Sequence, residues 1–191
     1  MDKKTQDITK RNLNFENAVF LGKNKIAYLN LGNIELADIE NQMSIGQLPN
    51  IFDVQDIYQG NIGKILLRTG SIVKYYDTVA KKVVNEVNEF ALRKLKKVIW
   101  NSKMTCCALI TNKYIFLMNK NFQRTARVHE GTKIVEAFWN SEDVLIYSTL
   151  NHLKYALSNG DKGIIKSLDK IVYPVDQRGE KLQFFSSTGD L

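Results

Sequence analysis

The tripeptide Trp-Asn-Ser occurs twice, in VIWNSKM at 98–104 and AFWNSED at 137–143, and it takes in both tryptophans of the chain, Trp100 and Trp139. The interval of 39 residues is long for a helical hairpin and short for a domain. It is close to the length of one four-stranded blade of a β-propeller. A repeat of that period constrains the fold more tightly than composition does, because each unit must bury its apolar faces against the next.

The surrounding sequence repeats as well. Aromatics near the end of each candidate first strand are Phe20, Tyr58, Trp100, Trp139 and Tyr173, at intervals of 38, 42, 39 and 34 residues. After each comes a polar turn, an apolar strand, a second short turn, another apolar strand and a final alternating one. The third unit reads KKVIW, TCCALIT, KYIFLMN, FQRTARV, and the fourth reads KIVEAFW, DVLIYST, HLKYALS, KGIIKSL. In KYIFLMN, Ile115 and Leu117 point one way while Tyr114, Phe116 and Met118 point the other, so both faces must be covered. HLKYALS alternates as Leu153, Tyr155 and Leu157 against His152, Lys154 and Ala156, as a half-exposed strand does.

A radial stack of small twisted sheets meets these demands. The expected fold is therefore all-β: a partial WD-type propeller of about four four-stranded antiparallel blades plus part of a fifth. The expected boundaries are a loosely attached segment at 1–16, blades at 17–52, 53–90, 95–131 and 132–169, and an incomplete one at 170–191. The five aromatics are the structural repeat positions, each expected to fill the same gap between sheets. Replacing Trp100 or Trp139 by Ala should then unfold the chain. A short helix over NEFALRKLKKV, with Leu92 and Leu95 on one face, is the local alternative. Pro174 suits a strand start or an edge.

Composition sets outer limits. With 191 residues, 44% of them hydrophobic, the chain can build a sizeable core. No apolar run reaches a membrane span, the first residues are polar, the two cysteines are adjacent, and there is no N-x-Ser/Thr sequon; these features predict an intracellular, reducing compartment. The net charge of +7 invites a nucleic-acid reading, yet 21 of the 27 cations are lysine in a chain also rich in Asn and Ile, as A/T-biased codons produce. The densest basic run, LRKLKKVIWNSK at 92–103, reads as a solvated loop edge.

Reactive groups do not converge. His129-Glu130 lacks the second His of HExxH, and His152 reads as a solvated or backbone-bonded histidine. Gly60 and Gly63 are too close for a phosphate loop, with Ile65 where its hydroxyl should be, and there is no GxSxG elbow. Cys106 and Cys107 read as packing residues. No catalytic, cofactor-binding or metal-binding residue is expected, and no cofactor.

The segment IYSTLNHLKYALSNGDKGIIKSLD at 146–169 resembles the α-subunit family of coatomer, the COPI vesicle coat. The matching positions are Asn151, His152, Leu153, Lys154, Tyr155 and Ala156, then Gly160, Asp161, Gly163, Ile164 and Ile165, then Leu168 and Asp169. KVIWNS at 97–102 and GNIGKILLRTGSIVKYYD at 60–77 fall where that family has similar strands, so the resemblance covers about residues 17–185. KLQFFSSTGDL departs from it. The related β′ family shares the architecture without the Asn-His-Leu-Lys-Tyr-Ala run.

The resemblance implies the later blades of a second propeller within a longer protein that continues into a helical solenoid. It implies a non-catalytic structural role in Golgi-to-ER and intra-Golgi transport, contacts with other coatomer subunits, and peripheral association with Golgi membranes and COPI-coated vesicles through the assembled coat, on the cytoplasmic side. Dilysine cargo signals are recognised by the first propeller of such coats, so no cargo residues carry over. Four blades and part of a fifth leave two apolar faces open, so the array should be unstable alone or pair with another copy. The competing readings are an RNA-binding propeller using Arg93, Lys94, Lys96, Lys97 and Lys103, another protein-interaction propeller outside vesicle coats, and a propeller hydrolase, for which no residues are marked.

Overall fold

The computed structural model describes residues 15–41 and 43–186. All but the last two residues of the expected N-terminal segment, 1–16, therefore lie outside the described residues, as do 187–191. Four antiparallel meanders of four strands follow one another. The first sheet is β1 (Asn17–Phe20), β2 (Lys25–Asn30), β3 (Asn33–Asp38) and β4 (Met43–Gln47). The second is β5 (Asp56–Gln59), β6 (Lys64–Thr69), β7 (Ile72–Asp77) and β8 (Lys82–Asn88). The third is β9 (Lys97–Trp100), β10 (Cys106–Ile110), β11 (Tyr114–Asn119) and β12 (Arg124–His129), and the fourth is β13 (Ile134–Trp139), β14 (Leu145–Thr149), β15 (His152–Ala156) and β16 (Lys162–Ser167). A hairpin of β17 (Val172–Arg178) and β18 (Lys181–Ser186) begins a fifth.

The first strands of successive sheets lie side by side, β1 with β5, β9 with β13, and β13 with β17. They form the hub, and the last strands β8, β12 and β16 form a largely exposed rim. The chain is thus a partial β-propeller.

Period-two alternation builds the seams between sheets. From β6, Ile65 and Leu67 enter the core shared with the first sheet, while Leu66 enters the one shared with the third. From β10, Cys107 and Leu109 face the second sheet and Ala108 and Ile110 face the fourth. From β11, Phe116 and Met118 face back and Ile115 and Leu117 face forward, the division expected for KYIFLMN. Each central strand is therefore buried on both sides. At roughly 1.5–3 kcal/mol for each large apolar side chain, these seams are the main source of stability.

Two local expectations resolve differently. NEFALRKLKKV holds a single 3-10 helix, Phe90–Lys94, rather than a longer helix. Three residues per turn set Leu92 and Leu95 one above the other, and both are buried in the seam between the second and third sheets. HLKYA alternates, but both of its faces are partly covered: its register with β14 is unbroken, and the bulge opposite Leu153 and Lys154 places the extra residue, Ile165, in β16. Ala156, on the same face as Lys154, is buried in the core shared with the third sheet, and Leu153 is buried on the opposite face. Pro174 sits within β17 beside a similar register shift, where a missing N–H costs little.

Candidate functional site

The Trp-Asn pair ties the third and fourth sheets each to both neighbours at the hub. The Trp100 indole Nε1 donates to the Gln59 carbonyl at 2.8 Å, at the last residue of β5, and that of Trp139 donates to the Ile99 carbonyl at 3.1 Å, at the penultimate residue of β9. The Asn101 side-chain oxygen accepts from the backbone N–H groups of Thr105 and Cys106, and that of Asn140 accepts from those of Glu142 and Val144, so each asparagine folds its own turn. Its amide nitrogen then reaches forward, from Asn101 to Asp143 at 2.9 Å and from Asn140 to Gln177 at 3.0 Å. Both asparagines are buried. The serines, Ser102 and Ser141, are exposed and make no hydrogen bond among the described residues.

Trp100 and Trp139 are half-buried rather than enclosed: they lie against the cores of successive seams with an edge toward solvent. The other three aromatics do not share their place. Phe20 ends β1 but is 61% exposed; only its carbonyl takes part, accepting from Gln59 Nε2 at 2.7 Å. Gln59, not Tyr58, is the last residue of β5, and one step along a strand reverses the face. Tyr58 accordingly packs toward the third sheet, where burial pushes its hydroxyl up to about 12. Tyr173 lies near the start of β17, not its end, and is 42% exposed.

The family-motif residues gather around the fourth sheet. Asn151 lies in the β14–β15 turn and His152 opens β15: the Thr149 hydroxyl accepts from the His152 N–H, and the Asn151 carbonyl accepts from the Leu168 N–H. Lys154 turns inward, its ammonium 2.5 Å from a carboxylate oxygen of Glu130. Glu130, just past β12, is buried, and also accepts from the Tyr147 hydroxyl at 2.8 Å and from Lys162 at 3.2 Å. Burial alone would raise its carboxyl, but the hydrogen bonds from Lys154, Tyr147 and Lys162 outweigh it and hold the group below its ordinary value. Burial and the Glu130 charge push the Tyr147 hydroxyl up.

Tyr155 pairs across strands with Gly163 and lays its ring over it; a Cβ there would fall 2.5 Å from the ring. Gly160 has φ +97°, and a Cβ on it would meet Ala126 at 2.9 Å. Asp161 closes the β15–β16 turn through its carbonyl, which accepts from Leu157 N–H. Ile164, Ile165 and Asp169 are exposed, and Leu168 is half-buried. Glu130 is the residue that sequence reading missed, since it was considered only as part of a failed zinc motif. A lysine in the middle of β15, between Leu153 and Tyr155, is the available signal that a buried carboxylate lies opposite.

The arrangement joins sheets. Cys107 is fully buried, with its thiol pushed up by burial and then by Cys106. No group of His, Cys, Asp and Glu among the described residues is placed to hold a metal ion. The basic run is divided: Lys97 pairs with Glu136 at 2.6 Å, and Lys103 pairs with Asp143 at 2.7 Å at the other end of β9.

Solved structures show the same class of fold. A chain of the mitotic checkpoint complex superimposes with a TM-score of 0.61 at 14% identity, covering 95% of this chain and 61% of that one. Kluyveromyces lactis Hsv2 gives 0.58 at 12%, covering 90% and 59%. Residues 5–186 match the COPA/B second beta-propeller, and the chain belongs to that family. It is 34% identical over 167 residues to the putative coatomer subunit alpha of Schizosaccharomyces pombe, covering 86% of this chain and 13% of that protein. It is 33% identical over 168 residues to coatomer subunit alpha of Dictyostelium discoideum (86% and 13%) and 31% over 176 residues to that of Saccharomyces cerevisiae (91% and 14%). The chain thus spans about an eighth of these relatives.

Proposed function

We propose that the chain is a rigid, non-catalytic propeller segment of a COPI-type vesicle coat, serving Golgi-to-ER and intra-Golgi protein transport by holding other coatomer subunits in place. It would work on the cytoplasmic side of Golgi membranes and COPI vesicles, attached peripherally through the assembled coat. No helix among the described residues is long and apolar enough to cross a membrane. The observation that carries the reading is family membership over nearly the whole chain. The hub supports it physically: tryptophan and asparagine fasten the third and fourth sheets in both directions, which suits a part that transmits geometry.

The open ends belong to the same proposal. Phe184 and Phe185 on the β18 edge and Phe20 and Ile45 on the first sheet are exposed, so the separate chain pairs with a second copy. A strictly monomeric species in sedimentation at tens of micromolar would contradict that pairing. For the coat role, the chain is exchanged for the corresponding segment of the yeast α subunit. The chimera should co-purify with the remaining coat subunits and support retrieval of ER cargo. A chimera that folds yet leaves the complex would refute the proposal.

A further inference from the structure

The connection from the second to the third sheet and the β10–β11 turn enclose a groove of about 530 Å³. Phe90 forms one wall and is 78% exposed, with the Arg93 guanidinium 5.0 Å above its ring. Tyr114 forms the opposite wall. It is held by His129, stacked at 4.7 Å, and by the Arg127 guanidinium at 4.6 Å from the ring centre. Arg93, Lys94 and Lys113 line the groove and no acid does. None of these three cations forms an ion pair among the described residues. Glu89, the acid next to Phe90, is taken by Arg124.

We infer that this groove docks an acidic peptide segment carrying one apolar anchor residue. The anchor lies between Phe90 and Tyr114, its flanking carboxylates meet Arg93, Lys94 and Lys113, and the Asn112 amide, which bonds to no described residue, meets the peptide backbone. A volume of this order suits a few side chains. A nucleic-acid backbone or a bilayer would use a broad cationic face, and here the neighbouring Lys97 and Lys103 are already ion-paired, so the positive charge is confined to the groove's rim, as a short acidic segment requires. The inference stands on the groove alone and does not depend on membership of a coat.

Fluorescence anisotropy with the full chain and a labelled Glu-Asp-Glu-Phe-Asp-Glu peptide tests it. Binding at about 20 mM salt should weaken at about 200 mM. Arg93→Glu or Lys113→Glu should weaken it about tenfold, and Phe90→Ser about fivefold. Replacing the peptide's Phe by Ala should also weaken it about tenfold, a readout that needs no change to the protein. Lys103→Glu, at the other end of β9, should leave it unchanged. Absence of binding at low salt, equal loss with Lys103→Glu, or tighter binding to a single-stranded RNA oligomer or to phosphatidylserine vesicles would overturn the inference.

Discussion

The seam between the third and fourth sheets and the hairpin β17–β18 are built from similar residues, yet they stand in opposite states. In the seam, Ile115, Leu117, Ile134, Leu145 and Tyr147 are almost wholly enclosed, the Trp139 indole is hydrogen-bonded, and the Glu130 carboxylate is held by two lysines and a tyrosine. In the hairpin, Tyr173, Val175, Phe184 and Phe185 face solvent. The hairpin is joined to the fourth sheet on one side by Ser148, which donates to the Val172 carbonyl, and by Asn140 with Gln177. An apolar sheet face therefore contributes stability only when a neighbouring sheet covers it, and the value of each side chain is set by its place in the stack.

The comparison breaks most visibly at the seams. Phe116→Ala should cost about 3–5 kcal/mol, enough to abolish cooperative unfolding in a calorimetric scan. Trp139→Ala should cost about 3 kcal/mol, lowering the denaturant midpoint without removing the transition, since the ring is only half-buried. A midpoint unchanged by either substitution would mean that the seams do not hold the chain together.

Glu130→Gln should cost about 1–3 kcal/mol, because Lys154 loses its buried partner charge. Its sign with pH follows from the lowered carboxyl. The group's ordinary value is near 4.5 and its folded value lies below that, so its contribution is present above about pH 4.5 and is lost as the pH falls through the folded value. The unsubstituted chain should therefore lose stability with acid more steeply than the Gln variant over that window. Parallel curves would remove Glu130 from the account. Phe185→Ser, on the exposed hairpin, should change stability by less than about 0.5 kcal/mol while reducing self-association in sedimentation.

The architecture was legible in the sequence because period-two alternation and the forty-residue recurrence act locally and leave a direct imprint on residue order. The alternation in KYIFLMN sorted its side chains to the seams in which they lie. Positions that depend on where a strand stops were harder to read. Tyr58 stands one residue short of the end of β5 and so faces the other way, and Tyr173 lies at the wrong end of β17. Lys154 lies on a face of β15 that reads as half-exposed in an alternating string, whereas the third sheet covers that face. Its partner Glu130 comes from the preceding sheet, a contact that sequence spacing does not reveal.

The most direct measurement is solvent exchange of the two indole N–H protons, seen as two cross-peaks in a proton–nitrogen spectrum. The account predicts that both exchange slowly and to a similar degree, since each is bonded to a carbonyl in the last two residues of the preceding first strand. Exchange of both at the rate of free indole, or protection of one alone, would contradict the claim that Trp100 and Trp139 occupy equivalent places in successive blades.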